Sequence, residues 1–193
     1  MKQFSATGES PELTDQDCVK RAQQGDSAAA GQLYDAHHQA LFRYVWSRVG
    51  ERALAEDLTG EVFMRMLSAL PRYRVSAAPF RAWLYQIAHN LVIDHYRKAG
   101  NHVNLPLQQV DMVGSAVMDM TASVEEQLTL ERVHQALAGI DVTQREVVTL
   151  RFLSGLSLQE VAAALGKSEN AVKALQHRGL SALRQALTQE QVA

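Results

Sequence analysis

Apolar residues recur at steps of three and four along almost the whole chain, while alternating runs bounded by turn residues are missing. A period near 3.6 belongs to helices that bury one face, so the pattern predicts an all-α fold. Asp15 or Asp17 starts a short helix running to Ala22, and Gly25-Asp26 breaks it. Leu33, Tyr34, Leu41, Phe42, Tyr44, Val45 and Trp46 carry a long helix from Ala28 to Val49, which Gly50 ends. Its aromatic content reads as core packing. A second long helix, Ala53 to Leu70, turns Leu54, Leu58, Val62 and Met66 inward and leaves Glu56, Asp57 and Glu61 on an acidic outer face. Pro71 ends it, and Arg72 to Pro79 is a basic loop. A third, Phe80 to Lys98, packs Phe80, Leu84, Ile87 and Leu91 inward and leaves Arg81, Tyr85, Gln86, His89 and Asn90 on other faces.

The periodicity then lapses. Gly100 to Ala122 has no sustained apolar repeat, contains Pro106 and is acidic, as a linker would be. Helical spacing resumes at Ser123, which with Glu126 makes a capping box, and Leu128, Val133 and Leu137 carry it to Gly139. Thr143 and Glu146 cap the next helix, through Val147, Leu150 and Leu153. The chain closes on GLSLQEVAAALGKSENAVKALQHRGLSALRQAL. Ser157 and Glu160 form a second capping box there, Gly166 allows a sharp bend, and Ser168 caps the last helix. That helix turns Val172, Leu175, Gly179, Leu183 and Leu187 inward and presents Asn170, Lys173, Gln176, His177 and Arg178. A polar helix braced by a shorter one is the helix-turn-helix, whose second helix enters the major groove. A helical hairpin with a solvated face has the same spacing. The organisation is thus a tail and short helix (1–27), a helical domain (28–99), a flexible linker (100–122) and a second helical domain (123–193).

Charge changes the picture. The net charge is −2, whereas a protein that holds DNA unaided has a basic excess, because phosphate neutralisation supplies much of the affinity. The charge is also divided. Pro71 to Lys98 holds Arg72, Arg74, Arg81, Arg97 and Lys98 against Asp94, while Ala99 to Gln127 holds Asp111, Asp119, Glu125 and Glu126 with no Lys or Arg. Local DNA contact by a subunit of something larger fits this division. The single cysteine, Cys18, excludes an internal disulfide and a cysteine-rich metal site. His37 and His38, being adjacent, face different directions on a helix, so no metal is expected there. No stretch approaches a membrane span and the N-terminus lacks an apolar signal core, so a cytoplasmic protein is expected.

Two separate stretches resemble one family. AEDLTGEVFMRMLSALPRYR followed by PFRAWLYQIAHNLVIDHYRK is similar to region 2 of the bacterial extracytoplasmic-function (ECF) sigma factors. TQREVVTLRFLSGLSLQEVAAALGKSENAVKALQHRGLSALR is similar to their region 4, in the family's order. The resemblance implies a subunit that directs core RNA polymerase to a restricted set of promoters and assists melting. Asp57, Glu61 and Leu58 then match the docking surface for the β′ coiled coil. Asn90, with Arg74, Phe80 and Trp83, matches the site for a base flipped from the minus-ten element, and Arg97 and Lys98 match phosphate contacts. Lys173, Ala174, His177 and Arg178 match recognition-helix positions that read the minus-thirty-five element, and Arg151 matches a backbone-contacting base. Implied partners are core polymerase through its β′ coiled coil and β flap, promoter DNA, and an anti-sigma factor that could hold the protein at the membrane. No cofactor or metal is implied. The linker matches a segment threaded through the RNA exit path.

The chain departs from the family pattern at Gly60, where Gln is usual, at Leu175, where Arg is frequent, and at Glu169-Asn170-Ala171. Promoter sequence therefore does not carry over. The chain stops soon after region 4, so no further C-terminal domain is expected. Among rivals, a one-component activator of the LuxR type would leave Ala28 to Lys98 unexplained. A helical decoy that occupies sigma-binding surfaces would not need the polar last helix. An enzyme lacks any glycine-rich phosphate loop, HExxH run or ligand-spaced histidines.

Overall fold

The computed structural model describes residues 14–74, 79–98, 136–137 and 139–189, and these are helical with no strand among them. Helix α1 (Asp15–Gln23) is capped by Thr14, whose hydroxyl accepts from the Asp17 N–H. Helix α2 (Ser27–Val49) starts at Asp26, which takes the Ala28 and Ala29 N–H groups, and ends at Gly50 in the left-handed conformation. Helix α3 (Arg52–Ala69) runs into a 3₁₀ turn, Leu70–Arg72, with Pro71 inside it. Helix α4 spans Phe80–Lys98. These boundaries fall within a few residues of those the periodicity predicts.

Helix α5 (Val142–Val148) continues as a π-helical turn, Thr149–Leu153. Its cap is Asp141, which accepts from Thr143 and Gln144; the expected Thr143–Glu146 box does not form, and Glu146 is buried instead. Helix α6 (Leu158–Leu165) has the full Ser157–Glu160 capping box and ends at Gly166 with φ +61°. Helix α7 (Glu169–Gln189) follows, with the Ser168 hydroxyl accepting from the Ala171 N–H. The linker and the Ser123–Glu126 box lie outside the described residues.

The inward face of α3 is rotated from the expected one. Val62 and Met66 are buried, but Ala55, Thr59 and Phe63 share that face, while Leu54 and Leu58 are only half-buried at its margin. Tyr85, expected on an outer face of α4, is fully buried, and Ile87 is half-buried. The reason is that α6 packs along α4. One apolar core therefore runs from Val19 and Leu33 through Leu84 and Leu91 to Leu150, Val161 and Val172. A smaller cluster of Leu137, Ile140 and Val148 lies under Leu180, Ala182 and Leu183. There α5 and α7 approach closely: a Cβ on Gly179 would stand 2.9 Å from Val148 Cγ2 and 3.2 Å from the Gln144 carbonyl oxygen.

Candidate nucleic-acid interface

Helices α6 and α7 form the expected helix-turn-helix. The short α6 buries Val161, Ala162 and Ala164, and α7 buries Val172 and Gly179. Leu175, Leu183 and Leu187 are half-buried. Asn170, Lys173, Ala174, His177 and Arg178 are exposed on α7. Lys173, His177 and Arg178, at i, i+4 and i+5, share one broad face. Arg178 Nε donates back to the Ala174 carbonyl at 3.3 Å, which holds its guanidinium along the helix. Beside this face lies an open polar groove of about 460 Å³, lined by Asp141, Gln144, Lys167, Ser168, Leu175 and Arg178. Arg151 is used inside the protein: Nε donates to Gln176 Oε1 at 3.1 Å, Nη1 donates to the Leu156 carbonyl, and the guanidinium sits over the Phe152 ring. It ties the segment before α6 to the recognition helix.

In the other half, Asp57 and Glu61 are exposed one turn apart on α3, and Leu58 is half-buried against the core. Glu61 pairs with Arg65 at 2.8 Å and Glu56 with Arg52 at 2.9 Å. Both pairs are exposed and so weigh little in stability. Tyr34, Met64 and Leu67 are exposed apolar residues on α2 and α3.

Arg74 and Asn90 are exposed and Trp83 is half-buried. Trp83 stacks on Tyr73 with ring centres 4.5 Å apart. Phe80 is buried, against Tyr73, Trp83 and His37, so its ring supports the aromatic group from below and does not face solvent. Arg97 and Lys98 are exposed at the end of α4, with Arg97 paired to Asp94 at 2.9 Å. The structure thus brings Trp83 and Asn90 onto one helix, seven residues apart, hence nearly one above the other. The α7 residues belong to a separate face.

Between the halves lies a polar cluster that the periodicity did not reveal. Glu146 on α5 is buried. Its Oε1 accepts from the Tyr44 hydroxyl at 2.5 Å and lies 3.3 Å from His89 Nδ1. Its Oε2 is 2.8 Å from Nη2 of the buried Arg48, an ionic contact without the angle of a hydrogen bond. Burial alone would push the Glu146 carboxyl up; the Arg48 charge, then His89 and Tyr44, more than offset this and hold it at about 2. Tyr44 is pushed well up, by its burial and then by the charge of Glu146. Tyr96 donates to the Arg48 carbonyl at 2.8 Å, fixing the turn of α2 that carries the guanidinium. Arg81 adds a further tie by donating to the Ser154 and Gly155 carbonyls. The sequence signal for this cluster is slight: one arginine set among Trp46 and Val49 on an apolar helix.

Among the described residues no group of three or more His, Cys, Asp or Glu could hold a metal ion. Nor is any helix there long and apolar enough to cross a membrane. Cys18 is buried on α1, with Sγ 3.5 Å from Gln32 Oε1.

Comparison with known proteins agrees with this geometry. The Sigma-70 region 2 family model matches residues 33–102, and the Sigma-70 region 4 model matches residues 136–185. The ECF RNA polymerase sigma factor BldN of Streptomyces coelicolor is 38% identical over 165 residues, covering 86% of this chain and 62% of BldN. SigD of Mycobacterium tuberculosis, also an ECF RNA polymerase sigma factor, is 35% identical over 170 residues, 86% of this chain and 80% of SigD. Among solved structures, CnrH in complex with the cytosolic domain of CnrY has a TM-score of 0.68 and 28% identity, over 90% of this chain and 97% of CnrH. A polar recognition helix in one half, an aromatic and basic helix in the other, and likeness running through both in order place the chain in one family: it belongs to the ECF RNA polymerase sigma factors, the promoter-specificity subunits of RNA polymerase.

Proposed function

We propose that residues 28–99 form the domain that docks on core polymerase and takes the minus-ten element, and that residues 123–193 form the domain that reads the minus-thirty-five element. Residues 1–27 precede them and 100–122 link them. The observation that carries this division is the exposure of two unlike faces on two halves. One holds Lys173, Ala174, His177 and Arg178 on a capped recognition helix; the other holds Trp83 and Asn90 above a basic helix end. Amides and guanidinium groups at such positions read base edges in the major groove, each good bidentate pair giving about 1–3 kcal/mol of discrimination. A half-exposed indole and an amide suit an unstacked single-stranded base, for which stacking supplies about 1–3 kcal/mol.

Arg151 contributes by bracing the recognition helix. Phe80 contributes from the core, by holding Tyr73 and Trp83. Asp57 and Glu61, exposed one turn apart beside Leu58, dock on the polymerase β′ coiled coil, and region 4 meets the β flap. The protein catalyses no reaction of its own, needs no cofactor and works in the cytoplasm. As CnrH is bound by the cytosolic domain of CnrY, an anti-sigma factor holds this protein inactive, at the membrane where that factor is anchored.

Charge reversal tests the docking face. Asp57→Lys with Glu61→Lys opposes like charges to a basic partner and should weaken core-polymerase binding by about 2–5 kcal/mol, with the helical circular dichroism signal unchanged. An unchanged affinity in a titration with core enzyme rejects the assignment of this face.

A further inference from the structure

We propose that α1, which precedes the residues matched by the region 2 family model, positions the minus-ten contact face through Gln23. The Gln23 carboxamide nitrogen donates to the Leu70 carbonyl at 2.9 Å and to the Tyr73 carbonyl at 2.8 Å. Those two carbonyls bracket the 3₁₀ turn, so one side chain fixes both its ends. Tyr73 in turn stacks on Trp83 and meets Phe80 edge-on. At the opposite end of α1, Asp15 lies 3.0 Å from His37 Nε2, and the His37 ring packs 5.5 Å from Phe80. Helix α1 therefore sets the Tyr73–Trp83 stack from two directions. Gln23 is a positioning residue here: it acts on DNA only through the stack, and the inference rests on the minus-ten assignment above.

The test uses holoenzyme reconstituted with full-length Gln23→Ala, Gln23→Glu and Gln23→Lys. An ionised carboxylate has the shape of the amide but no donor, and would face two carbonyl oxygens; the lysine restores a donor. With two hydrogen bonds lost, permanganate reactivity at the minus-ten element should develop about tenfold more slowly for Ala and Glu. Lys should recover most of the rate. Minus-thirty-five preference should change little, and the free chain should melt only a few degrees lower, as the loss of two hydrogen bonds at a largely exposed side chain requires. Wild-type melting by Gln23→Glu, or a failure of Lys to recover, overturns the proposal. Trp83→Ala separates the two claims. If it leaves melting intact, the face is misassigned; if it impairs melting while Gln23→Ala does not, only the brace is wrong.

Discussion

Replacing Glu146 by Gln should produce one of the larger single-residue losses of stability in this chain, and the loss should fade in acid. Glu146 and Arg48 are about 4% and 2% exposed at their side chains, so neither can be hydrated where it stands. Holding the carboxyl at about 2 against an ordinary 4.5 corresponds to about 3 kcal/mol in favour of the ionised, folded form. Removing the carboxylate leaves the guanidinium buried without its counter-charge, a change that costs about 3–5 kcal/mol. At this chain length that is a drop of roughly 6–20 °C in melting temperature. Because the folded carboxyl titrates lower than the unfolded one, the unfolded chain takes up more protons between these values. The stabilisation is therefore complete above about pH 5 and is lost as pH falls towards 2. Urea unfolding of wild type and Glu146→Gln at pH 7, 5, 4 and 3 measures this directly. The difference should be about 3 kcal/mol at pH 7 and shrink by more than half at pH 3. A difference below about 1 kcal/mol at pH 7, or one constant from pH 7 to 3, refutes the reasoning. Arg48→Leu with Glu146→Leu should be milder than either single change, since an apolar pair of similar volume leaves no charge stranded.

Two glycines should respond in opposite directions. Gly179→Ala forces a Cβ into Val148 and the Gln144 carbonyl and should cost about 1–3 kcal/mol by overpacking. Gly60→Ala, in mid-helix with nothing within 4 Å of an added Cβ, should gain about 1 kcal/mol; thermal unfolding of both decides it. Ser157→Ala removes the hydroxyl that accepts from the Glu160 N–H at 3.1 Å and should cost about 1 kcal/mol, measured the same way. On promoters mutated one element at a time, Arg178→Ala should lose about 1–3 kcal/mol of holoenzyme binding dependent on the minus-thirty-five sequence. Asn90→Ala should leave that preference intact and impair melting at the minus-ten element. The crossed outcome would reverse the two assignments.

What could be read from the sequence was what neighbouring residues decide. The Ser157–Glu160 box, the bend at Gly166 and the cap at Ser168 are each settled within four residues, and each appears as expected. The exposed face of α7 follows from spacing at Asn170, Lys173, His177 and Arg178, whereas Gln176, expected among them, is half-buried and accepts from Arg151. Where partners come from far along the chain, spacing was silent. Glu146 stands three residues after Thr143 and so mimics a capping box, but its partner Tyr44 is 102 residues away. Tyr85 looked like a surface aromatic because nothing local announces that α6 will cover α4. On α3 the larger Leu54 and Leu58 outweighed Ala55 and Thr59 as candidates for the core. Yet small residues are what a close helix–helix approach requires, and Thr59 removes its own polarity by donating to the Ala55 carbonyl at 2.6 Å. Arg151, which the family resemblance matches to a backbone-contacting base, is half-buried and donates to Gln176 and to the Leu156 carbonyl, partners that nothing in its local sequence announces.

The central claim is that this chain confers promoter choice on core RNA polymerase. In-vitro transcription with core enzyme and a genomic promoter library tests it most directly. Core alone should start without selection. Addition of the chain should yield defined starts at a restricted set of promoters sharing minus-ten and minus-thirty-five elements, and Asp57→Lys with Glu61→Lys should abolish them. Starts that the chain does not change, alongside tight sequence-specific duplex binding by the chain alone, would contradict the account.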